Sequence, residues 1–148
     1  VERASELGSA LYAELSGFGC AYAGGKEMGT AISQAIQAAL DESGLGKADL
    51  DLVLWNASYP PDPALISMLQ ELLNGPPVLS LNDRYGYAES LSCMLHLCAA
   101  AELIHCSHST GNLQQCEKVQ GRTIRRVLTL STSLNGNCYA AIVSQVTP

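Results

Sequence analysis

The side chains able to do chemistry fall into three groups. Six cysteines come first. A thiolate attacks only from an exposed, electropositive setting. Cys93, Cys98 and Cys106 instead lie in a long apolar run, where cysteine acts as a small buried hydrophobe. Disulfide scaffolds are smaller and loop-rich, so reduced thiols are the expectation for this chain. The second group, His105-Cys106-Ser107-His108 with Cys116, has zinc-ligand types at a spacing that matches no standard site. No metal and no cofactor are expected there, and His105 reads as a helix end whose imidazolium suits the dipole. The third group is a pair of polar elbows, Asn56 to Pro63 and Asn82 to Tyr87, each following a strand-length apolar run. Ligands of α/β folds gather at the carboxyl ends of strands. Gly24-Gly25-Lys26 lacks the spacing of a phosphate loop and is read as loop.

The elements that must position these groups follow from hydrophobic period. Ala10 to Phe18 has partial alternation and reads as a strand loosened by Gly17 and Gly19. Glu27 to Ser43 repeats Met28, Ala31, Ile32, Ala35, Ile36, Ala39 and Leu40 at helical spacing, and Gly44 stops it. Leu50 to Trp55 is continuously apolar, as buried parallel strands are. Asp62 and Pro63 suit the cap and first position of a helix that ends at Asn74-Gly75. Pro77 to Leu81 is of strand length. Leu91 to Cys106 is apolar nearly all round, which predicts a core helix buried on most sides, opened by Glu89 and Ser90. Ser107 to Arg122 has no readable pattern. Ile124 to Ser131 and Cys138 to Val146 are strands joined across Leu134-Asn135-Gly136-Asn137, where Asn-Gly signals a turn. The order is β-α-β-α-β-α-β-β, an α/β fold expected as a three-layer α/β/α arrangement on a five-stranded mixed sheet.

The totals bound the function. A chain of 148 residues fits a single domain spanning 1–148 with a real core. A net charge of −6 disfavours nucleic acid, and only Arg122, Arg125 and Arg126 cluster. The core run is too short and too polar at Ser92, His96 and Glu102 for a membrane span. No signal-peptide or lipidation pattern stands out, and a cytoplasmic protein is expected. A start at Val1 is expected for a cut or processed piece.

Several phrases, in this order, resemble the C-terminal half of a β-ketoacyl synthase of the thiolase-like superfamily. Glu2-Arg3-Ala4 and Gly8 to Gly19 are similar to the run "ERA…RGA.IYAE..GYG" that opens that half. Ala38-Ala39-Leu40, Gly44-Leu45 and Asp49-Leu50-Asp51 look like its "AL..AG…..DID" stretch. The resemblance covers nearly the whole chain; the first run is fairly specific and the later ones are weak singly.

The resemblance implies condensation of acyl thioesters on an acyl carrier protein. The nucleophilic cysteine lies in the other half of the fold, and two histidines of this half assist. Where the family's "HGTGT" elbow begins, this chain has Asn56. Where its "K…GH" elbow stands, Asn82 replaces the lysine and Tyr87 the histidine, with Gly86 kept. Its "GFGGTN" loop corresponds roughly to Ser133 to Cys138, with Gly136 retained and Leu134 in place of the gating phenylalanine. Asn56 and Tyr87 are thus the candidate catalytic positions, and Asn82, Leu134 and Gly136 the candidate substrate-pocket positions. An asparagine donates N–H but carries no proton near neutral pH, and tyrosine with a pKa of about 10 is a poor shuttle. Loss of both histidines points to a noncatalytic domain comparable with chain-length factors. Two alternatives stay open: a divergent condensing enzyme using Asn56 and Tyr87 as oxyanion donors, and a binding module that kept only the fold. The partners implied are the N-terminal half of the same fold or an active ketosynthase subunit, with an acyl carrier protein. An apolar face meant for the other half would also favour self-association.

Overall fold

The computed structural model describes residues 6, 8, 11–24, 28–56, 63–82, 86, 90–106, 119, 121–133 and 135–146. Its strands are β1 (Glu14–Tyr22), β2 (Leu52–Asn56), β3 (Val78–Leu79), β4 (Arg126–Thr132) and β5 (Asn137–Ser144). Its helices are α1 (Met28–Ser43), α2 (Pro63–Leu73) and α3 (Ser90–His105), with a 3-10 turn at Lys47–Asp49. The five strands form one sheet in the order β1-β5-β4-β2-β3. β1, β5 and β4 pair antiparallel, whereas β4, β2 and β3 pair parallel.

Strand parity sorts the side chains into two cores. Val53 and Trp55 of β2, Leu128 and Leu130 of β4, and Ala140 and Ile142 of β5 meet α1 and α2 on one face. Leu52 and Leu54, Val127 and Val143 meet Ala99, Ala100, Leu103 and Ile104 of α3 on the other. The layers are therefore α/β/α on a mixed sheet, as the element pattern predicts.

Among the described residues one helix lies on this second face, and it does not span five strands. α3 covers the β2–β4 side of its face, and beyond it Phe18, Cys20 and Tyr22 of β1 and Tyr139 of β5 are exposed. The outer flank of α3 is also bare: Leu91 is 66 % exposed, Met94 56 % and Leu95 42 %. The core helix is thus buried along one flank only, where the unbroken apolar run predicts burial on most sides. Periodicity registers that a side chain is apolar, and cannot register which neighbour is there to cover it.

The first strand runs Glu14–Tyr22, four residues later than the sequence pattern places it, and passes straight through its glycines. A Cβ built on Gly17 would collide with the Ala39 carbonyl oxygen, and one on Gly19 with that of Ala35. These glycines let the α1 backbone, with Ala35 and Ala39 facing them, lie directly on β1. They serve helix–strand contact rather than loosening. β3 is only two residues long, shorter than Pro77 to Leu81. α2 begins at Pro63 and ends before Asn74, whose φ of 55° is a left-handed helix cap.

Candidate functional site

The parallel strands β2, β3 and β4 end at one edge, and the chain leaves β2 to opposite sides. It reaches β3 on one flank through α2, and then β4 on the other flank through α3. Such a reversal leaves a crevice at the strand ends. Asn56 is the last residue of β2, part of the strand rather than of the elbow, and lies opposite Ser131 in the β2–β4 register. It is 1 % exposed. Its Nδ2 donates to Ser131 Oγ at 3.3 Å, and its Oδ1 faces Asn82 Nδ2 at 3.5 Å. The Thr132 hydroxyl reaches the Asn56 carbonyl at 3.5 Å.

Asn82, three residues past β3, is also buried. Its N–H donates to Ser80 Oγ at 3.2 Å and its carbonyl accepts from the Gly86 N–H at 2.8 Å, which fixes the amide in the elbow. Gly136 lies at the same edge in the β4–β5 turn, with φ +86°, a conformation that favours glycine. Its N–H donates to the Ser133 carbonyl and its own carbonyl accepts from the Ala23 N–H, each at 3.0 Å. The structure thus joins buried Asn56 and Asn82 with half-buried Ser131 in one neutral network and gives Gly136 a turn-forming place at the same edge. Tyr87 and Leu134 lie outside the described residues. The network holds and orients hydrogen-bond donors; none of its groups exchanges a proton near neutral pH.

A cavity of about 280 Å³ opens on the α3 face, lined by Phe18, Tyr139, Cys93, His96, Leu97 and Ser131 among others. Ser131 borders both the cavity and the amide network. His96 is the residue that sequence reasoning passed over, as one of three polar interruptions in an apolar run. It is 2 % exposed, with Nδ1 2.6 Å from the Ser92 carbonyl oxygen. Burial pushes its pKa below the usual 6.5, against the opposing pull of carbonyl groups at Ser92 and Trp55. Its Nε2 has no hydrogen bond of normal geometry among the described residues, and such a group costs about 1–3 kcal/mol when buried. The signal was its spacing: Ser92, His96 and the apolar Ala99, Ala100 and Leu103 share the inner flank of α3.

A larger, open cleft of about 490 Å³ sits at the opposite end of the strands, near Lys47, Asp51, Asn74 and Arg122. It collects surface charge around the start of β4, where Asp51 Oδ2 accepts from the Arg125 and Arg126 N–H groups at 2.8 and 2.9 Å. That arrangement staples the strand, and the strand ends that carry the amide network are elsewhere.

Among the described residues, no group of three or more His, Cys, Asp or Glu side chains converges. His105 packs its ring on Tyr12, centroids 4.2 Å apart, while His108 and Cys116 lie outside the described residues. The five described cysteines are free thiols. Cys138 is buried with Sγ 3.3 Å from Met28 Sδ, and burial pushes its pKa up to about 11. No described helix is long and apolar enough to cross a membrane.

No protein-family model matches the sequence, and no curated protein does. Solved structures do. The chain superposes on a type II PKS ketosynthase, solved with its acyl-carrier protein and bound to the hexaketide, with a TM-score of 0.78 at 18 % identity. It superposes on the ishigamide ketosynthase/chain length factor at 0.81 and 17 % identity. A β-ketoacyl synthase from Burkholderia phymatum STM815 gives 0.71 and 18 %. The chain has a thiolase-like, ketosynthase-type fold. In each case 99 % of this chain aligns, but with only 41 % of the other, so it spans well under half the length of these ketosynthase-type structures.

Proposed function

We propose that residues 1–148 form a single domain equivalent to the C-terminal half of a β-ketoacyl-carrier-protein synthase, of fatty acid or polyketide type, that is itself noncatalytic. Its role is that of a chain-length factor: it pairs with the N-terminal half of the same fold or with an active ketosynthase subunit, and shapes the space in which an acyl chain grows. Acyl carrier protein is the further partner, and the cytoplasm the compartment.

One observation carries this reading. Asn56 and Asn82 occupy positions that the resemblance gives to histidine and lysine, and their amides join each other and Ser131 in a neutral network. Neither carries a proton or a positive charge at neutral pH. The bare apolar flank of α3 and the uncovered end of the sheet support a covering half.

The test is intact-mass spectrometry after incubation with acyl thioesters and an acyl carrier protein, with and without a co-expressed active ketosynthase. The expected result is no acyl adduct on this chain and co-purification with the ketosynthase. Condensation product formed without that subunit would overturn the noncatalytic reading in favour of a divergent enzyme.

A further inference from the structure

β1 is an outer strand of the sheet, paired along one side with β5 and, among the described residues, with no strand along the other. Its ladder fixes which groups face the open side. Successive residues of an antiparallel strand turn their N–H and C=O alternately to one neighbour and to the other. The Phe18 N–H donates to Glu42 Oε2 of α1, and so points away from β5. Cys20 and Tyr22 share its parity, because the register irregularity between Leu15 and Gly17 lies before them. The Ala23 N–H, of opposite parity, donates inward to the Gly136 carbonyl. Phe18, Cys20 and Tyr22 therefore present the open row, and on that side none of them bonds to the backbone of another described residue.

An open row of this kind is a template for another strand, and proteins blunt it with short strands, bulges, proline or charge. β3, at the opposite edge, is two residues long. β1 is nine residues long, holds no proline or lysine, and carries charge only at Glu14. The irregularity at Ser16 disrupts its first part. From Phe18 onward the strand is regular, and the side chains of Phe18, Cys20 and Tyr22 are exposed. Among the described residues, Glu42 supplies the charged group bonded to this row. It reaches the edge because Gly17 and Gly19 let α1 lie directly on β1, with Ala39, three residues before Glu42, against Gly17.

We infer that the outer edge of β1 is a strand-pairing surface for β1 of a second copy of this chain, and that Glu42 holds it closed. Antiparallel pairing of two identical edges is twofold symmetric, so every contact is made twice. An incoming strand needs the Phe18 N–H for its own carbonyl and must break the bond to Glu42. Each copy brings one Glu42, so pairing costs two carboxylates their donors and gathers like charges at one joint. With Glu42 gone, the edge is its own complement. Outward N–H meets outward C=O, and Phe18 and Tyr22 lie on one face for cross-strand aromatic contact. The inference rests on β1 and α1, apart from the ketosynthase-like reading.

The test uses the full chain carrying Leu91→Glu and Met94→Glu, so that the α3 flank does not drive association. Sedimentation and amide hydrogen exchange then read the β1 edge with and without Glu42→Ala. In the dilute reference chain the Cys20 and Tyr22 amides should exchange quickly and the Phe18 amide more slowly. Glu42→Ala should tighten dimer formation at least tenfold, and in the dimer all three amides should exchange at least tenfold more slowly than Cys20 and Tyr22 do in the reference. Glu42→Gln keeps an acceptor for the Phe18 N–H and removes the charge; it should dimerise too, more weakly, and decides the matter if the alanine variant does not fold. Three results would each overturn the inference: no tightening when Glu42 is replaced, tightening that leaves the Cys20 and Tyr22 amides unprotected, or slow exchange of both in the reference chain.

Discussion

Asn82 Nδ2 lies 3.5 Å from Asn56 Oδ1, at the long limit of a hydrogen bond, and so links the elbow after β3 to the end of β2. The two residues are 26 apart in sequence and meet because β2 and β3 pair in parallel, Val53 with Val78 and Leu54 with Leu79. Asn56→Ala removes the acceptor facing Asn82 and the donor to Ser131 together. A loss of about 1–3 kcal/mol is expected, read as a lower urea midpoint at constant slope. An unchanged midpoint would show that the network contributes nothing to stability.

Gly19 of β1 lies directly against the α1 backbone at Ala35. Gly19→Val drives side-chain atoms into the Ala35 carbonyl and the Ala39 amide. Overpacking of this kind costs about 1–3 kcal/mol. Thermal melts should show the loss, whereas Gly46→Ala, with only Asp49 Oδ2 near at 3.5 Å, should be much milder.

His96 makes stability depend on pH. Its folded-state pKa lies below 6.5 because burial disfavours the cation. As pH falls below about 6.5, the unfolded chain takes up a proton that the folded chain refuses, so stability falls. The slope reaches at most about 1.4 kcal/mol per pH unit. Denaturation series from pH 7.5 to 5.0 should show this dependence in the native sequence and a flatter one in His96→Phe. Identical profiles would remove His96 as the cause.

Thiol reactivity should divide by burial. Cys20 and Cys98 are exposed, while Cys138 is buried with a pKa pushed up to about 11. Brief alkylation at pH 8 followed by peptide mapping should label Cys20 and Cys98 first and leave Cys138 as thiol until denaturant is added. Early labelling of Cys138 would contradict its placement under α1.

The uncovered face should drive association of the isolated chain. Leu91, Met94 and Leu95 on α3 and Phe18 and Tyr139 on the sheet are all more than 40 % exposed. Sedimentation of the chain alone is expected to show concentration-dependent self-association, and Leu91→Glu with Met94→Glu to suppress it. A monomer at every concentration would count against a covering partner on this face.

The sequence alone determined what is local. Apolar period placed α1, an unbroken apolar run placed α3, Pro63 and Asn74-Gly75 marked the ends of α2, and Asn135-Gly136 marked the last hairpin, because these depend on spacing and backbone preference within a few residues. The order of motifs also carried the resemblance that the superpositions match in fold. Tertiary structure alone decided the rest. It extended β1 through two glycines, because the advantage of those glycines lies in a helix 16 or more residues away. It bared one flank of an evenly apolar helix, because among the described residues one helix lies on that face of a five-stranded sheet. It also turned His96 from a polar interruption into a buried ring at a cavity wall. That role requires β1, β4 and β5 to assemble opposite α3, and no period within α3 encodes their arrival.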